Sequence, residues 1–409
     1  MTGNIGIRTV TFNLKEKMSQ ADFERIAVAK RSFSGFRYPV RTFRINGYPL
    51  TEMNDEYVNG INDFCSKEGL RWFSTPFRLP KSGSKQNGKH FTKDTLEDAV
   101  YEYLAKYPKG FANLAGSENG VMDFEVIDVY TRLMKRVSRL SPDGTDNFRY
   151  GLSVNAKQDG PFFPFTESSG QFSFSIGLEL TEMINEIADT NCTSTLEELR
   201  DMIAAKLDSQ ITEIEEKALK VEEVTGIAFR GFDFSLAPTL RKNGSLLQLL
   251  KRFGVKDFGG GGSFFATATL TNILKSFGKK HRHVGFSGLM YSVLEDRGLC
   301  DFHNRVGVRL NDLIKLSTMC GCGIDMVPVH ESESTDVLKS YIYDICAISC
   351  RLDNKPLGVR FLAFDDRLEF TDFEEDDFLT NGRILELGSN AIDDHDISEF
   401  SFWEVSKDA

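Results

Sequence analysis

A chain of 409 residues, 41% apolar and 27% charged, is long enough for one large core or two modest ones and has the balance of a globular protein. A net charge of −11 at pH 7 and a pI of about 5.2 exclude a basic stripe of the kind a phosphate backbone requires, so no nucleic-acid partner is expected. No run of eighteen apolar residues is present, so no membrane partner is expected either.

The chain opens on MTGNIGIRTVTFNL, which lacks a charged segment followed by an apolar one, so no secretory leader is expected. Within it IGIRTVTFNL alternates and is β-branched, predicting a strand. Helical spacing of apolar residues predicts helices over 20–31 and 94–106, the latter capped at Asp94 or Thr95. RWFSTPFRLP reads as a strand and turn, FANLAGS as a short strand and polar loop, and GVMDFEVIDVYTRLMKRVSRL as a long amphipathic helix stopped by SPDG. FRYGLSVNAK predicts a strand, and GPFFPFTESSGQFSFSIGLEL a proline- and glycine-bounded loop feeding another strand. Residues 195–223 form the clearest helix, and GIAFRGFDFSLAPTL returns to strand. SLLQLLKRFG predicts a helix with Gly254 just past its end, and DFGGGGSFFATATLTNILKSFG a glycine turn opening another. Lys279 to His283, the one basic run, reads as a solvated loop. HVGFSGLMYSV is strand or loop, 308–318 helical, GIDMVPV a buried strand, SESTDVLKSYIYDICAISC a helix and LGVRFLAF a strand. The acidic segment from Asp365 is expected to be ordered, since Phe400, Phe402 and Trp403 need somewhere to bury. This alternation implies a mainly parallel sheet covered by helices, open or closed into a barrel, within a single domain over 1–409.

Several stretches carry candidate chemistry. Cys320 and Cys322 are too close for a mutual disulfide, and their spacing is not the two-residue knuckle of a zinc site, so no metal is implied. Gly321 and Gly323 suggest a backbone turning sharply or passing close to a ligand, which leaves a reactive thiol and a packing residue both open. Seven cysteines at irregular spacing read as reduced thiols of a cytoplasmic protein. Gly260, Gly261 and Gly262 before Ser263 could present free amides to an anion at a helix start, without matching a P-loop or a dinucleotide fingerprint. Asp233, Ser235 and Thr239 end a predicted strand, where α/β proteins hold ligands. Ser287 lacks the flanking glycine spacing of a hydrolase elbow. Lys355 and Arg360 offer positive charge to a carboxylate substrate.

GIRTVTF, FANL, GIAFRGFDFSLAPT, GGGGSFFATATLTNILK, VGFSGLMYSVLEDRGL, LSTMCGCGIDMVPV and KPLGVRF together resemble the uncharacterised protein family 0210, also called the domain of unknown function 711. The likeness spans almost the whole chain and is densest from about residue 226 to 364. It implies a fold similar to pyruvate formate-lyase and ribonucleotide reductase: an α/β barrel of two parallel half-sheets surrounded by helices, with an inserted hairpin loop carrying a cysteine where the substrate sits. The family pattern has a cysteine at Cys320, an aspartate at Asp325, a lysine at Lys355 and an arginine at Arg360, while Cys322 lies outside it. A glycyl radical is not implied, because NGRILELGSNAIDD lacks the required C-terminal stretch, and GPFFPFTESSGQFSFSIGLE marks a divergent branch.

The resulting expectation is an enzyme of lyase or transferase class acting on a small anionic metabolite: an amino acid, keto acid or phosphate ester. Cys320 would be nucleophile or acid/base, tuned by Asp325 or Asp233, and Gly260 to Ser263 with Lys355 or Arg360 would hold the charge. Ser235, Thr239, Ser287 and Asn113 would line the pocket. The alternative is a non-catalytic metabolite-binding or sensor protein using the same pocket. No cofactor is assigned, and the size and aromatic tail point to a homodimer.

Overall fold

The computed structural model describes residues 5–80, 90–191, 195–241, 243–320, 323–389 and 391–392. In chain order the elements are β1 (Gly6–Asn13), α1 (Gln20–Ser32), β2 (Val40–Asn46), α2 (Asp55–Glu68), β3 (Trp72–Phe77), α3 (Lys93–Lys106), β4 (Gly110–Glu118), β5 (Val121–Met122) and α4 (Phe124–Val137). A 3-10 turn (Thr145–Arg149) leads to β6 (Tyr150–Val154), β7 (Lys157–Gln158), β8 (Thr166–Glu167), β9 (Ser173–Glu179), α5 (Thr181–Thr190), α6 (Leu196–Thr225) and β10 (Ala228–Asp233). Then follow α7 (Leu246–Arg252), α8 (Ser263–Phe277), α9 (Arg297–Arg305), α10 (Leu310–Ser317), β11 (Gly323–His330), α11 (Thr335–Arg351) and β12 (Leu357–Phe364).

Local chemistry sets the boundaries. Ser19 and Asp22 form a capping box at α1, as do Thr195 and Glu198 at α6, and Gly226 ends α6 in the left-handed conformation. α3 is capped by Thr92, two residues ahead of the expected Asp94, because Thr92 reaches the Thr95 amide. α2, α5 and α9 appear where the sequence signals are weakest; α5 begins at Thr181 directly after β9 with no side-chain cap.

The sheet runs β10-β9-β1-β2-β3-β4-β6-β12-β11 and is mostly parallel. β1, β2, β3, β4 and β6 point one way. At one side β9 turns antiparallel to β1 and pairs in parallel with β10, and at the other β12 turns antiparallel to β6 and pairs in parallel with β11. The segment after α8 touches both flanks. The Phe232 amide donates to the Arg282 carbonyl and the Leu236 amide to the Gly288 carbonyl beside β10, while the Val293 amide donates to the Asp325 carbonyl of β11. Helices cover the sheet, and no helix among the described residues is long and apolar enough to cross a membrane.

Period-two alternation gives the strands two unlike faces. Val10, Phe12, Ile45, Phe73, Leu114, Leu152, Ile176 and Leu178 belong to the main apolar core. The alternate positions are small or polar and equally buried: Thr9, Thr11, Asn13, Thr42, Arg44, Asn46, Asn113, Ser153, Ser173, Ser175 and Arg360. What covers this second face is the loop between β7 and β8, GPFFPF. The Thr11 hydroxyl donates to the Pro161 carbonyl at 3.2 Å, and Asn46 Nδ2 reaches Thr166 Oγ1 at 3.4 Å. Phe162 and Phe165 form a second, smaller apolar cluster with Ala237, Phe286 and Met290. The loop lies so close to the strands that they need glycine beneath it. A Cβ on Gly358 would sit 2.5 Å from the Phe165 ring, and one on Gly151 2.9 Å from the same ring.

The C-terminal segment to Ser389 is no loose tail in its described part. The Leu385 amide bonds to the Pro328 carbonyl of β11, and the Phe378 ring lies under the guanidiniums of Arg8, Arg41 and Arg71 at 5.1, 4.1 and 4.6 Å. Phe400, Phe402 and Trp403, assigned above to this segment's packing, lie outside the described residues. Gly358→Ala is expected to push Phe165 off the sheet and lower stability by about 1–3 kcal/mol, read as a shift in the urea midpoint at unchanged m-value. An unchanged midpoint would mean the loop does not rest on β12.

Candidate functional site

Under the phenylalanine loop the inner face carries a buried charged group held by protein partners. Arg360 on β12 donates from Nε to Asp325 Oδ1 on β11 at 2.7 Å, from Nη2 to Glu295 Oε2 at 2.8 Å and from Nη1 to the Phe148 carbonyl at 3.0 Å. Its side chain is 3% exposed. Glu295 also accepts from the Ser292 hydroxyl at 2.7 Å. Burial pushes the Glu295 carboxyl above its ordinary pKa, and the Arg360 charge opposes that shift. Asp325 and Arg360, two of the sequence candidates, are therefore brought together. Glu295, Arg8 and Arg44 line the same small cavity with Trp72, Phe111 and Phe163.

Asp233 ends β10 fully buried and is saturated by donors. The Ser235 amide and hydroxyl reach Oδ1 at 2.8 and 2.6 Å, the Ser287 amide reaches Oδ1 at 3.0 Å and the Phe286 amide reaches Oδ2 at 2.9 Å. Desolvation raises its pKa and these hydrogen bonds oppose the rise. The Ser235 hydroxyl accepts in turn from the Gly288 amide at 3.2 Å. Asp233 and Ser235 thus fix the turn Gly285–Gly288, in which Gly285 and Ser287 take positive φ values of 68° and 48°.

That turn forms one wall of a second cavity of about 460 Å³. Cys320, just past α10 and 1% exposed, lies on it with Lys355, Ser287 and Phe286. The remaining polar lining is Lys157, Lys275, His283, Thr271 and Thr318, with no carboxylate among the described residues. Lys355 Nζ donates to the Thr318 carbonyl at 3.1 Å. Burial holds the Lys355 ammonium below its ordinary pKa while the nearby Cys320 sulfur works the other way. Phe286 lines both cavities and stands between them.

The other candidates lie apart. Gly260, Gly261 and Gly262 precede α8, where Ser263 Oγ donates to the Asp257 carbonyl, and Gly262 supplies no side-chain cap. Thr271 and Lys275, which face the thiol cavity, stand roughly 12 to 18 Å further along that helix. Thr239 closes its own turn by accepting from the Arg241 amide. Asn113 donates to Ser153 Oγ at 3.1 Å on the inner face, and its Oδ1 has no hydrogen-bond partner among the described residues. Cys322 and Gly321 lie outside the described residues. His281 of the basic run is 5% exposed by side chain and sits between Glu215 and Asp208 at 2.6 and 3.1 Å, so that loop is anchored on α6. No group of three or more His, Cys, Asp or Glu among the described residues is placed to hold a metal ion.

Sequence reasoning passed over Arg8, Arg44, Lys157 and Lys275. The available signal was an arginine at the inner alternation of a strand in TFRIN, whereas Arg8 in GIRTV falls on the parity of Val10 and Phe12, where a register shift between Ile7 and Thr9 breaks the alternation. A helix-covered, mostly parallel sheet with a charged, loop-covered inner face and a basic, thiol-edged cavity defines an α/β protein with its polar chemistry on the inside of the sheet. The chain belongs to the family described as "Uncharacterised ACR (DUF711)", whose profile it matches over residues 9–367. It is 28% identical over 318 residues to a UPF0210 protein of Sulfurisphaera tokodaii, covering 76% of this chain and 66% of that one. It is 27% identical over 259 residues to one of Pyrobaculum arsenaticum, covering 62% and 56%, and 22% identical over 362 residues to one of Neisseria meningitidis, covering 86% and 79%. The match thus spans less than two thirds of the length of the first two relatives.

Asp233→Asn replaces an acceptor by an amide whose NH₂ faces donors. A loss of about 2 kcal/mol or more is expected, together with faster alkylation of Cys320 as the Gly285–Gly288 turn loosens. Unchanged thiol reactivity, followed by mass spectrometry of the Cys320 peptide, would detach that turn from the cavity wall.

Proposed function

We propose that the protein is an enzyme acting on a small anionic metabolite in the cavity edged by Cys320, in the lyase or transferase class. The observation that carries the reading is the lining: a cysteine beside Lys157, Lys275, Lys355 and His283, with no carboxylate among the described lining residues. Cations that converge on a partly enclosed space favour a negative ligand, and a thiolate forming there is favoured by the same charges. Cys320 acts as nucleophile, Lys355 holds the anion, and Ser287 with the amides of its turn orients it. Asp325 and Arg360 act from the far side of Phe286, and the glycines before Ser263 support α8 rather than the anion. The reading takes the sheet as a barrel of the pyruvate formate-lyase type, with Arg282–Val293 as the closing segment. The backbone bonds from that segment to β10 and β11 support it. It takes the chain as cytoplasmic, in keeping with free thiols at Cys65, Cys300 and Cys346, and as a homodimer.

The second reading, a binding or sensor protein, is favoured by the burial of Cys320 within the main apolar core. A thermal-shift screen of small anions against wild type and Cys320→Ala separates the two. Stabilisation retained in the variant, with no product from any stabilising anion, favours the sensor.

Charge recognition is tested by alkylation. One lysine charge at about 4 Å in water-like surroundings is worth about 1 kcal/mol, so Lys355→Met is expected to lower the iodoacetate-to-iodoacetamide rate ratio at Cys320 about five-fold. Equal ratios in the two proteins would remove Lys355 from the anion site. Because the Lys355 pKa is depressed, its charge is lost, as pH rises, sooner than that of an ordinary lysine. The wild-type ratio is therefore expected to fall before pH 10.5, the ordinary lysine value, and a ratio flat to that pH would contradict the assignment.

A further inference from the structure

The cavity on the other side of Phe286 has an unbalanced charge inventory. Five ionisable side chains line it: Arg8, Arg44, Arg360, Glu295 and Asp325. Arg360 takes both carboxylates. Arg8 is left with Glu179, at 3.4 Å, and Glu179 is also shared by Arg41 at 3.1 Å and Arg241 at 3.6 Å. Arg44 has no carboxylate within ion-pair distance among the described residues. It is 5% exposed, its Nε donates to Thr42 Oγ1 at 3.1 Å, and its guanidinium lies 4.8 Å from the Trp72 ring and 5.4 Å from the Phe163 ring. Its two terminal nitrogens have no hydrogen-bond partner among the described residues, although a guanidinium carries five N–H donors. A buried guanidinium without counter-charge is unfavourable unless something supplies one. Desolvation and the Arg8 charge hold the Arg44 pKa well below its ordinary value, and the Glu295 charge opposes them without restoring it.

We infer that the space between Arg8 and Arg44 is a binding site for a small monocarboxylate, distinct from the thiol cavity. Three guanidiniums against two carboxylates leave one positive charge on the lining, which matches a monoanion better than a phosphate ester. The two arginines stand on the neighbouring strands β1 and β2 and line one cavity, so the two oxygens of one carboxylate can accept from both. Most of the remaining wall is aromatic, with Trp72, Phe148, Phe163 and Phe378 among its rings, and Ala237, Pro238 and Met290 complete an apolar lining. These rings suit a methyl or methylene group and reject a second charge. The cavity is about 40 Å³, against roughly 150 Å³ for a space that takes benzene, so it admits a carboxylate head with only a few carbons. An amino acid is disfavoured because its ammonium would face two guanidiniums.

The inference goes beyond the proposed reaction and stands without it. The test titrates sodium acetate, sodium propionate and sodium phosphate against sodium chloride at matched ionic strength, following thermal stability and calorimetric heat of the full chain. Acetate or propionate is expected to bind saturably and to bind Cys320→Ala equally well, so a failed thiol reading leaves this result intact. Arg44→Gln is expected to weaken binding about ten-fold or more, and Arg44→Lys to restore part of it. Should Arg44→Gln not fold, Arg8→Gln is measured in its place, with the same expected loss. Carboxylates indistinguishable from chloride, equal affinity in the arginine variants, or tighter binding of phosphate than of acetate would each overturn the assignment.

Discussion

A guanidinium sealed from water must be given its counter-charges by the fold, and Arg360 receives them from two separate places in the chain. Asp325 comes from the adjacent strand β11, and Glu295 from the stretch following Arg282–Val293. Losing either partner would leave an uncompensated charge in the interior, which commonly costs about 3–5 kcal/mol. The position of β12 against β11, and of the intervening segment against both, is therefore set by electrostatics as well as by the strand ladder. Phe148 adds its carbonyl to the third donor and its ring 5.1 Å from the guanidinium, which brings the turn before β6 into the same arrangement.

A sheet with this charge inside needs a second layer that is neither water nor helix. The GPFFPF loop supplies it: after its glycine every residue is a phenylalanine or a proline, and Pro164 and Phe165 rest on bare backbone at Gly151 and Gly358. The resemblance to barrel enzymes places a cysteine on an inserted loop. Here the loop over the inner face carries phenylalanines, and Cys320 arrives from elsewhere, between α10 and β11. Cys320 and the covering loop are thus separate features of this chain. Phe286 joins the loop's apolar cluster and partitions the interior from the thiol cavity.

Much of the architecture is legible in the sequence, because strands such as VTFNL and helices such as the one from Thr195 follow local rules of alternation, capping and spacing. The sheet's order is not legible, since it depends on pairings such as β9 with β1 that join residues more than 150 positions apart. The polarity of the inner face misleads in a specific way. Thr9, Thr11, Asn13 and Arg44 alternate with apolar residues as a solvent-facing strand would, yet all are buried. The sequence offers Cys320, Asp325, Lys355 and Arg360 as candidates, but no local signal tells that they divide between two cavities. The glycine turn before Ser263 shows the complementary limit: strand–glycine–helix is a sound local motif, but only the folded chain reveals which end of that helix meets a cavity.

Phe378 carries a consequence for how the inner cavity is assembled. It walls the Arg8–Arg44 space, stacks edge-on to Trp72 at 5.0 Å and is reached by three guanidiniums, yet it lies eleven residues past the last position matched by the family profile. Part of the inner chamber's wall thus comes from beyond the stretch that the family profile matches. A substitution in that segment would reshape the rim of the chamber and leave the strands carrying Arg8 and Arg44 as they are.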